Sequence, residues 1–311
     1  MTEAVSIAIR SGLYLDLMAL FGLPLFGLYA LRGAERATGS VLPFRSILAW
    51  GSILGIALSV LAMMVLAASM ADVPITEVDR ATLTMLITGT SIGTAWLVRL
   101  LALVASGLCA LLLRWRPILV LQTASLCGAI ALATLAWAGH GAADEGLTGW
   151  VHLSADILHL WAAGIWIGAL LAMLLLLFMP PIDESHDRVV LSHRALHGFG
   201  IVGSGAVAAL IASGLVNSWI LVGPAHLGDL FTTLYGQLLL VKLMLFALML
   251  VLAGANRFVY TPALATAMET GDTGSAVRSL RRSLALESTI ALLVLGLVAW
   301  LGLLPPPASA M

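Results

Sequence analysis

The chain has 311 residues, 61% of them apolar and only 10% charged, whereas soluble domains carry roughly 25% charged residues. A net charge of -1 excludes the basic surface that nucleic acid requires. The two cysteines, Cys109 and Cys127, lie inside apolar runs, which excludes a disulfide framework or a paired-cysteine metal motif.

With a mean hydropathy of +1.06, this is an all-α polytopic membrane protein, read as one membrane domain over residues 1–311. A span needs about 20 mostly apolar residues. In chain order the candidates are 11–31, 45–70, 91–113, 117–138, 151–178, 199–222, 236–258 and 284–304, a bundle of eight. The first run carries Asp16 and has no cationic segment before it, so it is read as a retained span and not as a cleaved signal. Pro43 and Pro117 stand where helix starts tolerate proline. The connection 71–90 mixes Asp72, Glu77 and Asp79 with Leu83, Met85 and Leu86, and predicts a short helix lying at the interface. Spans three and four meet through Arg114-Trp115-Arg116, a tight hairpin. Pro180–Pro181 and Pro305–Pro306–Pro307 stop spans five and eight, and 259–283 is the longest polar connection on the side rich in arginine. Close approaches are expected at Gly51…Gly55, at Gly164…Gly168 and along Gly205, Ala209 and Ser213. Trp50, Trp137, Trp150, Trp219 and Trp300 mark span ends.

The cations set the orientation. Arg32, Arg36, Arg45, Arg114, Arg116, Arg188, Arg194, Arg257, Arg278, Arg281 and Arg282 fall in every second connection, while Arg10 and Arg80 lie opposite and Arg99 and Lys242 sit inside spans. Lys and Arg are retained on the cytoplasmic side, so both termini are expected outside the cytoplasm.

Ionisable groups in lipid cost at least about 2.5 kcal/mol each and therefore mark function or pairing. Asp16, Arg99, Asp156, His159 and Lys242 are expected within about two helical turns of the outer ends of their spans. The two acids and two bases balance and predict mutual ion pairs. Glu287 stands apart, near the opposite end of span eight. His152, Asp156 and His159 occupy i, i+4 and i+7 of span five, one stripe of a helix. Imidazoles and a carboxylate on one face are a metal-site arrangement. His140 and His226 lie in the neighbouring outer connections, and Met63, Met64 and Met70 are at a compatible depth in span two. Thioether with imidazole suits copper, Cu(I) above all. His193 and His197, four apart, stand at the cytoplasmic start of span six. There is no nucleotide-binding glycine loop, no GxSxG and no HExxH, so the chain is read as a protein that is not an enzyme.

The segment from His152 through Asp156, His159 and Trp166 to Gly168 resembles the signature span of the CopD/PcoD copper-resistance membrane proteins. Tyr235-Gly236 through Lys242 to Asn256-Arg257 and Pro262 resembles a second block of that family, as does Arg281-Arg282-Ser-Leu-Ala-Leu-Glu287 with the closing prolines. The resemblance covers 90–307, most strongly 150–307; spans one and two fit by position and hydrophobicity. It implies a multi-pass protein of the bacterial inner membrane with periplasmic termini, handling Cu(I) or Cu(II). It also implies a separate periplasmic copper carrier of the CopC type as donor.

The expected mechanism takes copper from the periplasm and moves it across the membrane. His140 and His226 recruit the ion, and His152, Asp156 and His159 hold it with a methionine of span two. Asp16, Arg99, Lys242 and Glu287 form an intramembrane charge network. The alternative is a b-type haem or quinone redox protein, which requires histidines facing each other from different helices. A further alternative is a copper sensor or assembly partner that does not transport.

Overall fold

The computed structural model describes residues 3–36, 41–139, 146–178, 187–271 and 273–309, without the side chains of 187 and 188. Eight of its helices are long and apolar enough to cross a membrane. They are α1 (Glu3–Ala30), α2 (Phe44–Ala71), α4 (Ser91–Leu112), α5 (Pro117–Ala133, continued to Ala138 by a 3₁₀ turn), α6 (Gly146–Phe178), α7 (Asp187–Leu221), α9 (Leu234–Ala255, continued to Thr270 through a π turn and a short helix) and α11 (Gly274–Leu301). α3 (Arg80–Gly89), the four-residue α8 (Asp229–Thr232) and α10 (Thr261–Thr270) are short. No strand occurs among the described residues.

Local chemistry sets the boundaries. Pro117 opens α5, where its missing N–H costs nothing. Asp72 ends α2 in the left-handed region at φ 53°, its N–H on Ala68 O. α3 is the helix expected in the connection 71–90; the Asp79 carboxylate caps it by accepting from Thr82 N at 2.8 Å. Among its described residues the polar stretch 259–283 is almost entirely helical. α9 widens into a π turn, Asn256–Tyr260, and continues as α10 before α11 starts at Gly274.

α1 is the central helix, packing on α2, α5, α6, α7 and α11. Its apolar window is 67% buried, whereas those of α7 and α9 are 22% and 17% buried. The seam between α1 and α6 admits no side chain. A Cβ on Gly22 would strike the Gly164 carbonyl and the Gly168 Cα, and one on Gly168 would strike the Gly22 backbone. The Gly164…Gly168 pair therefore does what small residues four apart do in lipid, letting two backbones touch. Gly51 and Gly55 of α2 receive Leu20 and Asp16 of α1. The stripe expected on α7 is different: Gly205 faces open space, and the buried row runs through Gly203, Ala206, Leu210 and Ser213.

The bundle is fastened at both ends. On the face that carries most of the arginines, Arg36 donates to Gly27 O at 3.2 Å and Leu28 O at 2.9 Å, satisfying carbonyls of the last turn of α1. Glu35 accepts from Arg194 at 2.5 Å and from the Arg32 amide at 2.7 Å. Partial burial works to raise the Glu35 carboxyl, but those two hydrogen bonds and the charges of both arginines outweigh it and hold it below its ordinary value. On the termini face Trp300 Nε1 donates to Glu3 at 2.8 Å. Trp50, Trp150 and Trp219 are about 70% exposed on the outer surface of the bundle, where membrane-facing aromatics belong.

Candidate functional site

The polar stripe of α6 lines a cavity of about 530 Å³ bounded by α1, α6, α7, α9 and α11. His152, Asp156 and His159 all face it, and so does Lys242 from α9. His152 is 1% exposed, and its Nε2 stands 3.9 Å from Asp156 Oδ2. The other carboxylate oxygen, Oδ1, accepts from Asn217 Nδ2 at 2.6 Å. His159 Nδ1 lies 3.0 Å from Ser213 Oγ, and that hydroxyl donates to Ala209 O at 2.6 Å. Its one proton is thereby committed, so Ser213 oxygen accepts from Nδ1–H. Nε2 is then the basic nitrogen of the His159 ring, the form that ligates metals.

Several lining groups come from helices that the sequence gives no reason to bring together. Arg10 and Tyr14 approach from α1, Asn217 from α7 and Tyr235 from the first turn of α9. Arg10 lies beside Gly302, where an added Cβ would strike its guanidinium. Met18 and Met249 supply the thioethers of this cavity.

The methionines expected to complete the site are elsewhere. Met63 is buried with Ala67 and Leu86, packed against Trp96 in a separate cluster of α2, α3 and α4. Met70 is 56% exposed, and Met64 is half-buried outside the cavity. The reason is lateral position: α2 packs on α1 and α4, so the central helix stands between it and α6. His226 is half-buried in the 3₁₀ turn Pro224–His226, away from the cavity lining. His140 lies outside the described residues.

The charge network also divides. Asp16 turns toward Gly51 and Gly55 of α2, and its Oδ2 has no hydrogen-bond partner. Arg99 donates to Thr134 Oγ1 at 2.8 Å and Thr134 O at 3.5 Å, at the end of α5. Lys242 shares the cavity with Asp156 but stands beyond ion-pair distance. Among the described residues no ion pair joins any two of Asp16, Arg99, Asp156 and Lys242. Glu287 accepts from Trp166 and Asn256 near the opposite face. Nor do three or more His, Cys, Asp or Glu side chains gather, among the described residues, closely enough to hold a metal ion. A bis-histidine haem needs imidazoles from two helices, whereas among the described residues the histidines lining this cavity, His152 and His159, stand on α6 alone.

Fold and cavity together define a class: a multi-pass helical membrane protein with a partly open chamber between its helices, lined by two histidines, an aspartate and a lysine. The family model for the copper resistance protein D-like N-terminal domain matches residues 1–150, and that for copper resistance protein D matches residues 193–301. The chain is 48% identical over 312 residues to copper resistance protein D of Pseudomonas syringae pv. tomato, covering 100% of this chain and 99% of that one. It belongs to the copper resistance protein D family. The N-terminal match extends the kinship to spans one and two, beyond what their position and hydrophobicity suggest. Inner membrane protein YebZ of Escherichia coli (strain K12) is 36% identical over 129 residues, 41% of this chain and 42% of that one. Copper transport protein CutJ of Bacillus subtilis (strain 168) is 37% identical over 130 residues, 42% of this chain and 23% of that one. No solved structure matches the chain.

Proposed function

We propose that this protein accepts a copper ion at its termini face and passes it across the bacterial inner membrane, with the α6 cavity as the first station. One observation carries this reading: His152, Asp156 and His159 line a single chamber together with the thioethers of Met18 and Met249. Nitrogen, oxygen and soft sulfur donors in one chamber suit copper. The spread of those donors suits a carrier. Binding strong enough to enter and weak enough to leave requires successive partial sites and not one closed cage. In this reading the His152–Asp156 pair receives the ion and His159 Nε2 takes it one helical turn deeper. Lys242 and Arg10 bias the chamber against a second cation.

The arginine-rich face is cytoplasmic in this reading, by retention of cations during insertion. The copper then comes from the periplasm, delivered by a separate carrier of the CopC type. No catalytic role is assigned. The test is copper content and copper sensitivity of cells expressing wild type, His152→Ala, His159→Ala and the outward-facing control Leu101→Ala. Both histidine variants lower copper accumulation and the control does not. Unchanged accumulation in both histidine variants defeats the site.

A further inference from the structure

Glu287 lies outside the chamber just described. It sits on α11, is 2% exposed, and has two neutral partners: Trp166 Nε1 at 2.9 Å and Asn256 Nδ2 at 2.7 Å. Among the described residues no cation stands within ion-pair distance of it. A buried carboxylate held only by neutral donors keeps a large desolvation cost.

The backbone is shaped around this carboxyl. Asn256 opens the π turn between α9 and α10, and such single widened turns concentrate at functional sites. Thr261 Oγ1 donates to Asn256 O at 2.7 Å, satisfying a carbonyl of the widened turn. The Asn256 side chain itself points to Glu287. It is 6% exposed, and its Oδ1 has no partner among the described residues.

A second cavity, about 270 Å³, opens at this point. Among the described residues Trp166 alone lines both cavities. Along α6 the positions His152, Asp156, His159, Ala163, Trp166, Leu170 and Met173 advance by alternating fours and threes, and each lines one cavity or the other. From residue 152 to residue 173 the stripe runs about 32 Å at 1.5 Å per residue. The hydrocarbon core of a bilayer is roughly 30 Å. One face of one helix thus tracks through the membrane, interrupted by the Trp166 indole, which is braced edge-on by Phe246 at 6.1 Å.

We propose that Glu287 is a proton-exchange station of this second chamber, partitioned from the first by Trp166 and served by Asn256. A metal cation is disfavoured there. Arg257 lines the same cavity, fixed by Gly200 O at 2.9 Å and Ser204 Oγ at 2.6 Å, so a permanent positive charge faces the space. Imidazole and thiolate are absent from the lining among the described residues, and the carboxylate oxygens already accept hydrogen bonds. A proton needs one lone pair. Apart from Arg257 and Glu287, the side chains that α6, α7, α9, the π turn, α10 and α11 present to the cavity carry no titratable group.

The exchange is a proton transfer: the carboxylate takes H⁺ from hydronium to become the acid and leave water, and returns H⁺ to a water molecule, re-forming hydronium, in the reverse step. An amide serves both states. Its N–H₂ donates to the carboxylate, and turned over its oxygen accepts from the acid O–H. The hydrogen bond from Trp166 is charge-assisted only in the carboxylate state, where it is roughly twice as strong as a neutral one. Protonation therefore loosens the partition. Coupling of this step to copper rests on the transport reading; the proton site does not.

The test uses the full-length protein in lipid nanodiscs and infrared difference spectra between acidic and alkaline buffer. Wild type gives a carboxylic C=O band that is lost in Glu287→Gln, shifted in Asn256→Ala and retained in Asp156→Asn. If Glu287→Gln fails to fold, the Asn256→Ala shift decides. A Glu287→Gln spectrum that superimposes on wild type overturns the proposal. So does a band that answers to added Ag⁺ or Na⁺ at constant pH and not to pH. In proteoliposomes holding a trapped pH dye and a copper indicator, wild type moves both ions on copper addition and Glu287→Gln loses the proton signal. Wild-type vesicles that take up no copper sink the transport reading, while the infrared band still decides Glu287.

Discussion

The two faces of α6 are built on opposite rules. One presents Gly164 and Gly168 to α1 so closely that Gly22 leaves no space for a Cβ. The other presents His152, Asp156, His159 and Trp166 to chambers of about 530 and 270 Å³. Lipid supplies no hydrophobic drive between helices, so association depends on close packing. The dense seam supplies that packing and anchors α6, which leaves its opposite face able to border open, polar space. α7 and α9 complete the far wall, and they are the least buried spans of the bundle.

Substitutions on the two faces should therefore fail in different ways. The largest effect falls on the seam. Gly168→Leu drives a side chain into the α1 backbone and should cost about 3 kcal/mol or more, read as loss of the monodisperse protein and of its thermal transition. Ala163→Leu, on the cavity face, should leave the thermal transition intact while lowering copper accumulation. Next, Asn217→Leu removes the donor to Asp156 and should destabilise by roughly 2 kcal/mol, the usual loss for a hydrogen bond to a charged acceptor, measured by thermal unfolding in detergent. Ser213→Ala frees the His159 ring to turn and should cost about 1 kcal/mol, with a larger fall in copper accumulation than in stability.

The smallest effects lie away from α6. The Glu35–Arg194 pair is partly exposed and is worth at most about 1 kcal/mol. Because the folded Glu35 carboxyl is held below its ordinary value of 4.5, the contribution is complete above that value. It disappears as the pH falls through the lower folded value. Arg194→Gln should flatten this acid limb in a pH series of melting temperatures. Met70→Leu should change neither stability nor copper accumulation, whereas Met18→Leu and Met249→Leu should lower accumulation.

Much of the architecture could be read from the chain because its causes are local. Apolar run lengths gave the spans, and the His152–Asp156–His159 stripe was visible because its spacing lies within one helix. What could not be read was azimuth and neighbourhood. Depth alone puts Asp16, Arg99 and the methionines of α2 level with the stripe of α6, yet α1 separates α2 from α6, and each charged group turns to a different neighbour. Asn217 and Ser213 reach the site from α7 and Tyr235 from α9, and no sequence spacing relates any of them to the stripe of α6. Trp166 and Asn256 belonged to recognisable segments, but their shared hold on Glu287 depends on a π turn, and Asn256 and Glu287 lie far apart in the chain.

The hydrogen bond from Trp300 to Glu3 has a topological corollary. Eight crossings return the backbone to the face it left, and this bond holds the start of α1 beside the end of α11. A short peptide spliced from the last described turn to the first would close the bundle into a loop without adding a crossing. New ends could then be cut between α6 and α7. The helices would be strung in a different order around the same centre, which tests whether α1 must be synthesised first to organise the rest.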